Sequence, residues 1–122
     1  MKTTAVVTAI GAHALDPADP LVILFDEDAT AALRDVTVIQ RFNDPQQQAS
    51  LTVKPGDHLA LAGHTYEIMR VGQLANTNLR TIGHVSLIFQ AIPAQPMENA
   101  LYLEPLQKPT LAVGDELTYI TE

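Results

Sequence analysis

The sequence predicts an all-β fold, a small closed or partly closed β-barrel with one or two short helices. Short runs of β-branched and apolar residues alternate with glycine and proline turns, which indicates many short strands. The helical pieces are few and short, so the pattern does not match alternating strands and helices. We favour a barrel over an open sheet because closure removes the strand edges that a small chain would otherwise expose.

The first half of the chain contains three predicted strands, at residues 4–10, 21–25 and 36–42. The second is a continuous apolar run, and the third is rich in β-branched residues. Between them, residues 28–34 predict one or two helical turns with Asp28 as the N-cap. Residues 43–48 are polar and are predicted to form a loop.

The second half begins with a turn at Pro55-Gly56, followed by a hairpin of residues 58–61 and 64–71 that turns at Gly63. Residues 73–80 predict a short helix, and Gly83 ends it before a strand at 85–89. Two further strands are expected at 101–103 and 117–120. Four prolines, at positions 93, 96, 105 and 109, keep the intervening segments irregular.

Composition limits the possible partners. The length of 122 residues predicts one domain spanning residues 1–122. The net charge of −7 argues against binding to nucleic acid or to an anionic membrane surface, because both are negatively charged. No apolar run approaches the roughly 20 residues of a membrane span. The N-terminal segment is interrupted by threonines, so we interpret it as a first strand and not as a secretion signal.

The chain has no cysteine and no phosphate-binding or nucleophilic-serine motif, so any catalysis must use His, Asp, Glu, Ser or Thr. We single out the four histidines, because an imidazole nitrogen is nucleophilic and available near neutral pH. They are His13, His58, His64 and His84. His64 and Glu67 form a His-x-x-Glu pattern, but on a strand these side chains point to opposite faces. We therefore expect neither a metal site nor a cofactor.

The stretch from Val71 to Phe89, VGQLANTNLRTIGHVSLIF, resembles the sorbitol/glucitol-specific enzyme IIA family of the bacterial sugar phosphotransferase system. Further matches lie upstream, at Gly11, at Pro55-Gly56 and at Gly63-His64. The resemblance covers nearly the whole chain and is weakest after residue 92.

The resemblance implies a cytoplasmic β-barrel protein. Members of that family accept a phosphoryl group on a histidine from the histidine-containing phosphocarrier protein, and they pass it to the IIB component of a membrane transporter made of IIB and IIC components. The resemblance thus implies a relay of phosphoryl groups during polyol uptake, with no cofactor. The imidazole would act as the nucleophile.

One residue departs from the family pattern. The resemblance places the phosphorylated histidine, expected in a surface pocket, at position 40, where this chain has Gln40. The nitrogen of a carboxamide is a poor nucleophile because its lone pair is delocalised into the carbonyl group. Whether the chain is a phosphotransferase component therefore stays open, and the alternative is a paralogue that cannot be phosphorylated and acts as a regulatory or interaction module.

His84 admits two interpretations. It is a structural histidine whose ring nitrogens bond to neighbouring backbone, or it supports the residue at position 40. If another histidine has taken over phosphoryl transfer, His84 is the first candidate, followed by His64 and His58.

Overall fold

Eight strands close into a single barrel, and three short helices connect them. The structure is a computed structural model that describes residues 1–122. The elements are β1 Lys2–Ile10, β2 Leu21–Phe25, α1 Ala31–Arg34, β3 Val38–Phe42, α2 Pro45–Ala49, β4 His58–Leu61, β5 His64–Val71, α3 Ala75–Ile82, β6 Val85–Ile88, β7 Ala100–Glu104 and β8 Glu116–Ile120. The strands follow the order β1-β3-β2-β6-β7-β5-β4-β8, and β8 pairs with β1. The predicted all-β barrel is confirmed, and it is fully closed.

The interior of the barrel is filled by side chains from alternate positions of the strands. Along β1, Thr3, Ala5 and Val7 are buried, whereas the residues between them are partly exposed. This alternation follows from the two-residue period of a strand. Inside the barrel, the rings of Phe42 and Tyr119 stack with their centroids 5.7 Å apart. Removal of this apolar surface from water is the main force that stabilises the fold.

Two strand pairs are parallel, and the others are antiparallel. In one parallel pair, β2 is connected to β3 through α1, and Phe25 at the end of β2 lies beside Ile39. The loop that follows β2 therefore begins next to the middle of β3. This register brings Asp26 into the neighbourhood of Gln40.

Helix α3 covers one end of the barrel. Ala75 and Leu79 face the core and are fully buried. On the same helix, the side-chain amide of Asn76 accepts a hydrogen bond from the backbone N–H of Val53 at 2.8 Å and donates one to its carbonyl at 3.0 Å. Arg80 donates to the carbonyl of Leu51 at 2.9 Å. The segment that contains Leu51 and Val53 thus fills the space below α3 without pairing as a strand.

Helix α2 was not predicted, since residues 43–48 were expected to form a loop. The helix forms because Asp44 caps it, with Oδ1 accepting from the backbone N–H of Gln46 at 2.9 Å, and because Pro45 occupies its first turn. The structure therefore has three helices, where one or two were expected. None of them combines the length and apolar character needed to cross a membrane.

Helix α1 starts later than predicted. Asp28 is not its N-cap, because the backbone N–H of Asp28 donates to the carboxylate of Asp26 at 2.9 Å in a local turn. The cap is Thr30, whose Oγ1 accepts from the backbone N–H of Leu33. β3 likewise begins at Val38, two residues after the predicted start, because α1 and its C-terminal turn occupy the residues before it.

Helix α3 lies two residues further along the chain than predicted. It ends at Gly83, which adopts the left-handed conformation with φ of 59°. The backbone N–H of Gly83 donates to the carbonyl of Leu79 at 3.3 Å, as in an αL helix ending, and that of His84 donates to the carbonyl of Asn78 at 3.2 Å. Glycine is favoured at this position because a side chain disfavours positive φ. The helix ending therefore places His84 immediately before β6.

We predict that Gly72→Ala destabilises the protein by about 1–3 kcal/mol, because overpacked sites cost this much. A Cβ atom at position 72 would lie 2.0 Å from the carbonyl oxygen of Glu98, so the backbone must move. Urea unfolding measures the change. Gln73→Ala, at the exposed neighbouring position, is the matched control and should stay within about 0.5 kcal/mol of the parent. Equal stability of the two variants would contradict the packing argument.

Candidate functional site

Gln40 lies inside the barrel, with no exposed surface. Its Nε2 donates to the carbonyl of Gly83 at 2.9 Å, and its Oε1 accepts from the hydroxyl of Tyr119 at 2.9 Å. Both ends of the amide are therefore paired, as a buried polar group requires. We expected position 40 to be in a surface pocket; instead its side chain is enclosed and bonded on both sides.

A polar depression of about 240 Å³ lies over Gln40. Its lining residues are Asp26, Glu27, Asp28, Gln40, Arg41, Phe42, Pro45 and Gln48. Three neighbouring acidic residues make this surface negative, and only Arg41 contributes a positive charge. The depression thus attracts a basic protein surface more readily than a free anion.

The pKa of the Asp26 carboxyl group is raised above its ordinary value. Partial burial is the main cause, and the negative charges of Asp28 and Glu27 add to it. The hydrogen bond from the backbone of Asp28 acts in the opposite direction. Arg34 holds this acidic loop by donating to the carbonyls of Glu27 at 2.6 Å and Ala29 at 3.3 Å.

His84 lies at the rim of the barrel, directly after Gly83. Its Nδ1 is 3.0 Å from the carbonyl oxygen of Leu24, and its ring centroid is 4.6 Å from that of Phe25. The other ring nitrogen, Nε2, has no hydrogen-bond partner in the protein and is not among the buried unpaired atoms. Both interpretations of His84 are therefore compatible with the structure. Its Nδ1 bonds to the backbone carbonyl of Leu24, and the carbonyl of the preceding residue, Gly83, accepts from Gln40.

The remaining histidines do not join this group. His64 begins β5, whereas α3 follows the end of β5, so His64 lies at the opposite end of the barrel. His58, the first residue of β4, is exposed at the α3 end and makes no side-chain hydrogen bond. His13 places Nδ1 at 2.8 Å from the carboxylate of Asp35, and its side chain is 76% exposed. Of the residues singled out from the sequence, the structure therefore brings together Gln40 and His84 but not His64.

No group of three or more His, Asp or Glu side chains is arranged to hold a metal ion. His64 pairs with Leu61 and Glu67 pairs with His58 across the β4–β5 hairpin, so the His-x-x-Glu residues occupy separate positions. The pattern does not produce a shared ligand set.

Sequence reasoning missed the partners of Gln40 and His84. Tyr119 is 79 residues from Gln40, and Leu24 is 60 residues from His84. Burial raises the pKa of the Tyr119 hydroxyl far above its ordinary value, and the hydrogen bond to Gln40 lowers it by a smaller amount. No local pattern in the sequence indicates either contact.

Comparison with known proteins identifies the family. The profile described as "PTS system glucitol/sorbitol-specific IIA component" matches residues 2–118. The chain belongs to this family. The resemblance noted from Val71 to Phe89 is thereby confirmed.

Individual members of the family are similar over nearly the whole chain. A glucitol/sorbitol-specific EIIA component of the PTS system from Escherichia coli is 29% identical over 114 residues, which covers 93% of this chain and 89% of the relative. The Shigella flexneri protein of the same name gives the same identity and coverage. The crystal structure of a PTS system IIA component from Enterococcus faecalis is 38% identical, with a TM-score of 0.91 over 97% of this chain and 99% of that one.

We predict that Tyr119→Phe destabilises this IIA-family chain by about 1–3 kcal/mol, because it leaves the buried Oε1 of Gln40 without a donor. Urea unfolding at neutral pH measures the change. The matched control is Tyr66→Phe, whose lost partner is the carbonyl of the exposed Gln107. Water can replace that hydrogen bond, so a control loss as large as that of Tyr119→Phe would contradict the prediction.

We also predict that the protein loses stability in alkali. The pKa of Tyr119 is raised in the folded state, whereas the unfolded tyrosine titrates near its ordinary value of about 10. The stabilisation is therefore complete below about pH 10, and it falls above that pH by up to about 1.4 kcal/mol per unit for this group. Urea unfolding between about pH 8 and pH 11 measures the slope. Tyr119→Phe should reduce the slope, and an unchanged slope in that variant would assign the loss to other groups.

Proposed function

We propose that this chain is a phosphoryl carrier of the sugar phosphotransferase system. In the cytoplasm, it would receive a phosphoryl group from the histidine-containing phosphocarrier protein. It would then pass that group to the IIB component of a sorbitol/glucitol transporter. The observation that carries this proposal is the match to the IIA family over residues 2–118, together with the similarity in fold to a IIA component at a TM-score of 0.91.

The chain retains the chemical groups that such a role needs. Phosphoryl transfer between proteins of this kind requires a neutral imidazole nitrogen that a partner can reach. Each of the four histidines has at least one ring nitrogen without a protein partner. The amide of Gln40 cannot act as the acceptor, because it is a poor nucleophile and because it is enclosed.

The surface charge favours a basic partner. The acidic loop of Asp26, Glu27 and Asp28 lies at the same end of the barrel as Gln40 and His84, and the whole chain carries a net charge of −7. A partner with a basic face would be steered to this end, and the rate of association would fall with added salt.

The test is a phosphorylation assay with phosphoenolpyruvate, enzyme I and the phosphocarrier protein. We predict that the intact protein gains the mass of one phosphoryl group, and that this group is lost in acid and kept in alkali, as a phosphoramidate is. Subsequent addition of the IIB component should discharge it. A variant with all four histidines replaced by glutamine is the control and should gain nothing. Absence of label on the folded parent protein would overturn the proposal.

A second function, docking without phosphoryl transfer, is favoured by one observation. The residue at position 40 is a fully paired, buried amide that stabilises the barrel and cannot carry a phosphoryl group. In that case the folded protein would bind the IIB component or the phosphocarrier protein but would remain unlabelled. Calorimetry with each purified partner distinguishes this result from a complete loss of interaction.

A further inference from the structure

We propose that Nε2 of His84 is the atom that accepts the phosphoryl group in this chain. The proposal rests on the proposed function, and it identifies the acceptor that the glutamine at position 40 leaves unassigned. It is carried by the hydrogen bonding of His84, by the access of Nε2 to solvent and by the position of the ring beside Gln40 and the acidic loop.

The backbone selects one tautomer of the ring. Nδ1 of His84 lies 3.0 Å from the carbonyl oxygen of Leu24. A carbonyl oxygen can only accept a hydrogen bond, so Nδ1 must carry the proton. In the neutral ring, Nε2 then holds the lone pair, which is the state that a nucleophile requires.

The ring is held in place while Nε2 remains free. The backbone of His84 is anchored by its N–H, which donates to the carbonyl of Asn78 at 3.2 Å. The ring of Phe25 packs against the imidazole, with the two ring centroids 4.6 Å apart. His84 is half-buried, and its Nε2 has no protein partner and is not fully enclosed. An anchored ring with one free nitrogen is preorganised for attack, because little rotational freedom is lost when a partner docks.

No other histidine combines these features. The rings of His58 and His64 make no hydrogen bond within the protein, so nothing selects a tautomer or an orientation. His13 is oriented by the carboxylate of Asp35, but it follows β1 at the barrel end opposite to α2 and α3, away from the acidic loop. His84 is the one histidine whose proton position is set by a neutral backbone acceptor.

His84 also shares a peptide with the residue that contacts position 40. The carbonyl of Gly83 accepts from Gln40 at 2.9 Å, and the backbone N–H of Asp26 donates to the carbonyl of Ile82 at 3.1 Å. A partner that docks over the acidic depression would therefore meet His84 at its edge. The buried amide of Gln40 is thus joined through Gly83 to the imidazole at the rim, at the same end of the barrel as the acidic loop.

The transfer balances without a further reactant. The Nε2 lone pair attacks the phosphorus of a phosphohistidine on the donor protein, whose other ring nitrogen carries a proton. The N–P bond at Nε2 forms as the donor's N–P bond breaks, and that electron pair returns to the donor ring, which leaves as neutral imidazole. His84 becomes an Nε2-phosphorylated imidazolium, with its Nδ1 proton still donated to the carbonyl of Leu24. That hydrogen bond is strengthened by the developing positive charge and stabilises it.

The decisive experiment maps the phosphoryl group on the intact parent chain after incubation with phosphoenolpyruvate, enzyme I and the phosphocarrier protein. Electron-transfer fragmentation near neutral pH should place it on His84. Nitrogen NMR of the labelled imidazoles should show the proton on Nδ1 of His84 before phosphorylation and coupling between phosphorus and Nε2 afterwards. Label on His13, His58 or His64 instead, with none on His84, would overturn this proposal and leave the carrier function intact. An unlabelled parent would overturn the carrier function itself.

Substitutions provide the second arm. His84→Asn keeps an N–H donor near the position of Nδ1 and so preserves the contact with Leu24, but it has no nucleophilic nitrogen. We predict at least a hundredfold loss of phosphorylation rate in this variant, with unchanged circular dichroism. His58→Asn, at the same end of the barrel, is the matched control and should be labelled at the parent rate. Labelling of folded His84→Asn at the parent rate would overturn the proposal. If the variant fails to fold, the position of the phosphoryl group on the parent protein tests the proposal instead.

Discussion

The buried amide of Gln40 is the contact on which the arrangement of this end of the barrel depends. It connects three parts of the fold, since its own strand β3 is joined through Tyr119 to β8 and through the carbonyl of Gly83 to the end of α3. An unpaired polar group in such a site would cost the full desolvation of that group. The strands and the helix ending are therefore held in one relative position, because any shift would break a hydrogen bond that water cannot replace.

In this chain, stabilising the barrel interior and presenting a free ring nitrogen are done by two different residues, Gln40 and His84, although one histidine could do both. The closed barrel has an inner and an outer face, and position 40 lies on the inner face, where a side chain stabilises the fold but meets no partner. The next residue after the Gly83 carbonyl is His84, which lies at the rim with one ring nitrogen bonded to Leu24 and the other free. In this chain the enclosed residue is structural, and the adjoining imidazole is the group that the proposed phosphoryl transfer would use.

The sequence predicted the fold best where the signal was local. Strands β2, β4 and β5 lie at the predicted residues, because apolar runs, two-residue alternation and the turn at Gly63 are all visible in short windows. Helix α2 was missed because its signals are confined to the Asp44 cap and Pro45, and the residues that follow them are polar. The N-cap of α1 was misplaced because Asp is intrinsically preferred over Thr as an N-cap, whereas the local turn of Asp28 onto Asp26 leaves Thr30 as the cap.

The sequence alone determined the all-β class, the four histidines as candidate nucleophiles, the family, and the glutamine at position 40. Only the tertiary structure decided that Gln40 is enclosed, that Tyr119 is its partner, and that the carbonyl of Leu24 sets the tautomer of His84. These contacts join residues 79 and 60 positions apart, so they exist only once the strands have paired in register and the barrel has closed. A hydrogen bond depends on the distance and direction between two atoms, and for residues so far apart along the chain the fold, not the local sequence, fixes both.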